Sequence, residues 1–274
     1  HFPALTWAHR HSLDSIYCAA EAGTTVDSVA HVFLGTRTLL AAGCSTHGPF
    51  GNGGPVAARA CLFLLVSLIG TLGPTEWPRE LIVWNVGQGQ WVTVSDEAAC
   101  WHLDMGGETA PWHEIQRYCR GRANRVSLSH WDMDHISFVR AARIRLPNFC
   151  LLNRPVGASS ARKMQIVDSI SPCKMLSPFA QWVNPTGPTS NAKSWVVIFQ
   201  HVLAPGDSSR AEESRWISRL PLADVSILVL GHHGSRTSTS SALLENLKNL
   251  KMAVASARFR RYGHPHREVV DELN

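Results

Sequence analysis

Charge is scarce in this chain. Only 17% of its 274 residues are Asp, Glu, Lys or Arg, against 45% hydrophobic. That balance excludes a disordered polypeptide and leaves ample apolar material for a core. Lys and Arg total 26 against 21 acidic residues, a formal charge of +5, which favours an anionic partner without identifying one. No C-x-x-C pair occurs among the seven cysteines, Cys18, Cys44, Cys61, Cys100, Cys119, Cys150 and Cys173, which excludes a zinc ribbon and a thioredoxin-type redox motif. The Gly-rich stretch 48–55 lacks the G-K-[ST] ending of a phosphate loop, so nucleotide binding there is not expected. Internal repeats and low-complexity tracts are also absent.

Ala60–Thr75 runs 16 residues without a charge, short of the roughly 20 that a membrane span takes. It reads equally as a membrane-associated segment or a buried helix, with Gly70, Gly73 and Pro74 to stop it. Residues 1–59 form an undefined N-terminal segment, and the domain that carries chemistry spans 76–274. Strands are expected at Leu81–Val86, Trp91–Ser95, Cys100–Asp104, Arg125–Ser129, Trp195–Phe199, His201–Ala204 and Val225–Leu230. Helices are expected at Glu114–Cys119, Ile136–Leu146, Ser209–Ser218, Ser241–Asn249 and Glu268–Leu273. Interspersed strands and helices of this kind make a layered α/β architecture.

Four elements carry chemistry. In Ser129-His130-Trp131-Asp132-Met133-Asp134-His135, four metal-binding side chains occupy six positions between a strand and a helix. Residues two apart point the same way in an extended loop, so His130, Asp132 and Asp134 can converge, and His135 can turn back to join them. Imidazoles and carboxylates suit zinc, manganese or iron(II). Gly231-His232-His233-Gly234-Ser235 follows an apolar run and looks like a second metal-binding edge. The Ser235 hydroxyl is placed to meet substrate, although most of the hydroxyls after it read as helix caps. Asp207 follows a strand and the tight turn Pro205-Gly206. Finally, Arg258 to His266 mixes cations, aromatics and histidines, and could hold a phosphate through Arg261, Tyr262 and His264.

Taken in order, these elements resemble the metallo-β-lactamase superfamily, and within it the C-terminal hydrolase-like domain of the ComEC family of competence DNA-uptake channels. The resemblance also draws on Asn85 to Gln90 and Leu103-Asp104-Met105-Gly106, and covers residues 80 to 270. It implies a four-layer αββα sandwich with two divalent ions at the strand ends, manganese or zinc, with magnesium the third choice. His130 and Asp132 would serve one ion, and Asp134 and His135 the other. Asp207 would bridge them, and His232 or His233, with His233 slightly favoured, would complete the second site. Asp134 and His264 would act in catalysis, while Asn85, Gln90 and Asp104 would support the ligands. The family further implies DNA as substrate, a membrane-channel portion of the same protein as neighbour, and other competence proteins as partners. It also implies a bacterial inner-membrane location with the hydrolase-like domain outside the cytoplasm, and it favours the membrane reading of Ala60–Thr75.

Three departures qualify this. Asp132 stands where the common HxHxDH motif has its second histidine. Asn85 and Gln90 stand where the family has aspartates, and amides cannot supply a carboxylate's charge. No histidine lies between His135 and His201, so an additional metal ligand found in many superfamily members is missing. The expected function is metal-dependent hydrolysis of DNA phosphodiesters. A catalytically weak DNA-guiding module and a small-ester metallohydrolase are the alternatives.

Overall fold

The computed structural model describes residues 15–18, 29–34 and 79–273. Ala60–Thr75 lies outside the described residues, among which no helix is long and apolar enough to cross a membrane. Among the described residues, twelve strands form two mixed six-stranded sheets. One sheet runs in the order β2 (Val29–Leu34), β3 (Arg79–Trp84), β4 (Val92–Ser95), β5 (Ala99–Leu103), β6 (Ala123–Ser127) and β7 (Phe149–Asn153). The other runs β1 (Ser15–Cys18), β12 (Met252–Ala255), β11 (Ile227–Val229), β10 (Val202–Ala204), β9 (Val196–Phe199) and β8 (Ala180–Trp182). Two stretches of residues 1–59 thus enter as edge strands, β1 parallel to β12 and β2 antiparallel to β3.

Side-chain alternation explains the layering. Successive residues of a strand face opposite ways, so a strand covered on both faces is apolar throughout. In β3, Leu81 and Val83 join Val92, Val94, Val197, Phe199, Ile227 and Val229 in a core between the sheets. Their neighbours Ile82 and Trp84 pack instead against Ile115, Val139 and Ala142, which lie on α1 (Trp112–Tyr118) and, beyond the one-turn α2 (Met133–Ile136), on α3 (Val139–Arg145). α4 (Ala161–Asp168) adds Val167 to the same layer. Across the molecule, Ile198, Leu203 and Leu228 meet Trp216 of α5 (Arg210–Trp216) and Leu243 of α6 (Ser241–Asn246). After the short α7 (Phe259–Tyr262), α8 (Arg267–Leu273) adds Val269 and Leu273 to that outer layer. The order is helices, sheet, sheet, helices.

The helix expected over Ile136–Leu146 instead starts at Met133 and breaks at Ser137-Phe138. Phe138 N–H leaves the helical pattern to bond the Met105 carbonyl at 2.9 Å. Two cysteine pairs are oxidised, Cys100–Cys119 joining β5 to the end of α1 and Cys150–Cys173 fastening β7 to the segment after α4.

Candidate metal centre

Every expected metal ligand leaves the carboxyl end of a strand. β6 feeds the His130–His135 loop, β10 feeds Asp207, and β11 feeds His232 and His233, while β12 leads to His264. Trp131 pins the first loop: its buried indole N–H donates to the carbonyls of Val156 and Gly157, each at 3.1 Å. The loop after β5 lies against the Asp134–His135 backbone, and a Cβ at Gly106 would stand 2.2 Å from the Asp134 carbonyl carbon. Only glycine permits that approach. Gly206 takes a left-handed φ of +57° over Ser129, turning Asp207 inward.

Asp207 is buried at the centre. Its Oδ1 lies 3.1 Å from His135 Nε2 and 4.0 Å from His233 Nε2, and its Oδ2 lies 3.6 Å from His130 Nε2 and 3.5 Å from His232 Nε2. Burial pushes the Asp207 carboxyl up, but the surrounding His135, His130 and His233 outweigh it and hold it well below the usual carboxylate range. Asp134 sits 3.3 Å from His233 Nε2. Burial raises its carboxyl as well, yet the hydrogen bond from His233 and the charge of His135 bring it down to about 2.

His135 is braced from behind. Its Nδ1 donates to Asp104 Oδ2 at 2.8 Å, and Asp104 also accepts from Ser129 N–H (2.7 Å), the Ser129 hydroxyl (2.8 Å) and Gln90 Nε2 (2.9 Å). Burial lowers the His135 imidazolium, but Asp207 and Asp104 override this and raise it well above its ordinary value. His233 Nδ1 likewise donates outward, to the Ser256 carbonyl at 2.8 Å. The two remaining ring nitrogens, His135 Nε2 and His233 Nε2, stand 3.2 Å apart. Two lone pairs cannot face each other at that distance without a proton or a cation between them.

Two groups have ligand atoms within 4.8 Å of one another, His130 with His135 and Asp207, and Asp134 with His135 and His233. His130 Nε2 and Asp207 Oδ1 are buried and lie near ion-pair partners at 3.1–4.0 Å without a well-aligned hydrogen bond, a costly state that a cation relieves. Such spacing suits an ion bound at about 2.0–2.2 Å to each donor. The residues therefore fit a divalent metal.

The remaining expected residues are distributed unevenly. Asp132 approaches His130 Nε2 at 3.4 Å but also Lys163 Nζ at 3.5 Å. His232 touches Asp207 and Thr237 Oγ1 (3.2 Å), and Ser235 bonds the same Thr237 hydroxyl at 3.0 Å, so Ser235 supports a ligand loop. His264 lies one ring further out, 6.2 Å from His232 and 6.5 Å from His233. Burial, then the neighbouring His266, lowers it to about 4, so it is a neutral imidazole at neutral pH. Tyr262 is half exposed beside it, at 5.8 Å. Arg261, expected to meet substrate, is paired with Glu108. Gln90 reaches the centre through Asp104, while Asn85 only accepts from Gly87 N–H within its own turn, at 3.4 Å. Sequence reasoning missed Asn191, whose amide lies 3.4 Å from Asp207 Oδ2, and Lys163. Neither carried a motif. Ser129, adjacent to His130, was within reach of one.

The backbone at His232 and His233 is unusual. Both take left-handed conformations, φ 49° ψ 46° and φ 58° ψ 18°. Each costs roughly 1–3 kcal/mol in a residue with a Cβ, and such strain gathers at functional sites. The twist turns the two imidazoles to different partners.

No family model matches the chain. ComE operon protein 3 of Bacillus subtilis is 26% identical over 91 residues, 31% of this chain and 12% of that protein. Recombination protein 2 of Haemophilus influenzae is 32% identical over 88 residues, again 31% of this chain and 11% of the relative. The matched segment thus spans about an eighth or less of either. Among solved structures, a diphosphatase from the PhnP family aligns over 68% of this chain and 78% of its own, at 14% identity and a TM-score of 0.42. Through these two competence-type relatives and the order of its own motifs, the chain resembles the ComEC family within the metallo-β-lactamase superfamily.

Proposed function

We propose that this chain is the metal-dependent hydrolase portion of a DNA-uptake channel, and that it cleaves DNA phosphodiesters. The observation that carries the reading is the convergence of His130, His135, His233, Asp134 and Asp207, with two buried ligand atoms that make no well-aligned hydrogen bond. His130, His135 and Asp207 would hold one divalent ion, and Asp134, His135 and His233 would supply the donors for another. Mixed nitrogen and oxygen donors suit manganese or zinc, with magnesium next. An ion held there supplies Lewis acidity toward a phosphate oxygen and toward water. Around it, the chain's own groups orient and shield. Asp104 fixes the His135 ring, Trp131 keeps the loop in place, and the neutral His264 imidazole offers a hydrogen bond to a phosphate oxygen at the rim.

The two disulfides support a position outside the cytoplasm, where cysteine pairs stay oxidised. The membrane channel of the longer protein would lie alongside, with other competence proteins as partners. The test is a nuclease assay of the chain in Mn²⁺, Mg²⁺, Zn²⁺ or EDTA, beside His135→Ala checked for fold by circular dichroism. Cleavage that requires metal and is lost in the variant is expected, and equal activity in both sinks the reading. A second reading, a DNA-guiding module with little catalysis, is favoured by Lys163 occupying the Asp132 carboxylate. Metal content separates the two, since a guide needs no metal centre.

A further inference from the structure

Charge is divided unevenly between the two outer layers. α1, α3 and α4, which cover the β2–β7 sheet, carry six Lys and Arg against Glu114 and Asp168. On the far side α5, α6 and α8 carry three arginines against six acidic residues. Positive charge thus lies on one outer layer and negative charge on the other. Arg117, Arg140, Arg143 and Arg162 of the first layer, and Arg120 just beyond α1, are exposed, and none has a partner among the described residues. The three helices form one surface. Gln116 donates to the Arg145 carbonyl at 3.1 Å, Arg145 lies over the Trp112 ring at 4.9 Å, and α3 packs against α4. Among the arginines stands Ile144, 80% exposed between Arg143 and Arg145. Unpaired like charges on one surface repel one another, so this layer gains wherever an anionic partner meets it.

We infer that the α1–α3–α4 layer is a docking face for an anionic lipid surface, on which the domain lies flat. Headgroup phosphates accept from guanidiniums two bonds at a time. Ile144 favours lipid over a duplex. A bilayer has an apolar zone directly beneath its phosphates, where an isoleucine flanked by arginines is buried. A duplex backbone offers phosphates and sugars, and an isoleucine gains little from those. The inference stands apart from the hydrolase reading and adds an orientation. Strands run parallel to the helical layer that covers them, so a domain resting on this face opens its strand-end metal centre along the lipid surface rather than into it.

The test is co-sedimentation of the full chain, in EDTA, with vesicles of phosphatidylcholine alone or mixed equally with phosphatidylglycerol. Tighter binding to the anionic vesicles, weakened by salt, is expected. Arg117→Gln with Arg140→Gln and Arg143→Gln should weaken it by at least about tenfold, since each cation near an anionic surface contributes about fivefold. Removing the same charge from exposed positions elsewhere, by Arg219→Gln, Lys248→Gln and Lys251→Gln, should change it by less than about twofold. Ile144→Ser alters no charge and should still weaken binding by about threefold. Circular dichroism checks that each variant keeps its fold. Equal losses in the two triple variants, or equal affinity of the parent for both vesicle types, overturn the inference. So does a first triple variant that keeps its anionic-vesicle binding and loses affinity for a blunt duplex, which would assign the face to nucleic acid. Metal-dependent cleavage that persists in that variant leaves the hydrolase reading in place whatever the vesicles show. A parent that binds vesicles through this face and cleaves no DNA removes the hydrolase reading alone.

Discussion

Asp132 and Asp134 lie two residues apart on one loop with the same side-chain exposure, yet they face different company. Asp134 meets His233 at 3.3 Å beside the Asp104–His135–Asp207 chain of contacts. Asp132 meets His130 and the ammonium of Lys163. The inner pole is organised from behind by a carboxylate that itself accepts four hydrogen bonds. The outer pole already has a cation of its own. The contrast teaches that ligand count is a poor guide to where an ion binds first, because preorganisation and competing charge differ across a few ångströms.

The harshest way to break the comparison is His135→Ala, which removes the ring common to both ligand groups. Bound metal, measured by elemental analysis after dialysis, and hydrolysis should both fall by more than about 100-fold, beyond the usual cost of losing a supporting residue. Asp104→Asn keeps the shape and removes the charge behind His135. Metal affinity from competition with a chelator should drop about 10- to 100-fold, and a drop no larger than that of Asn85→Ala would erase the distinction between the poles.

Acid sharpens the contrast in the metal-free chain. The Asp134 carboxyl is held at about 2 against its ordinary 3.8, so as pH falls the unfolded chain takes up that proton first. Its contribution is present above pH 3.8 and disappears as pH falls through about 2. Solvent screening of this partly exposed group limits it to on the order of 1 kcal/mol. Urea midpoints across that window should fall more steeply for the parent than for Asp134→Asn. The smallest effect belongs to the outer pole. Lys163→Met frees Asp132 and should tighten metal binding there by less than about fivefold, as expected of a partly exposed ion pair. Weaker binding instead would make Lys163 a helper rather than a competitor.

Much of this was readable in the sequence because both period and motif pointed the same way. β3 and β11 announce themselves as apolar runs, and the His130–His135 loop carries its ligands in consecutive positions. β12 (Met252–Ala255) went unread because four small and medium residues give no pattern, although its end positions His264. β7, β8 and α4 carry no motif and went unread as well. The full company of each ligand was not legible. Sequence order pairs His130 with Asp132, and the fold keeps them 3.4 Å apart while also bringing His135 and Asp207 to His130 and Lys163 to Asp132. Lys163 stands thirty-one positions further along, which spacing within the loop cannot report. The oxidised cysteine pairs were equally hidden, since connectivity depends on which strands and helices become neighbours.

The left-handed pair His232 and His233 has a consequence for anyone improving this protein. Glycine rests comfortably where these residues do not, so a screen for heat resistance should reward glycine at His232, whose side chain is partly exposed, whereas the buried His233 ring is held by its bond to Ser256. Such a winner would discard an imidazole from the centre. Robustness and chemistry compete at His232, and selection for one alone would quietly delete the other.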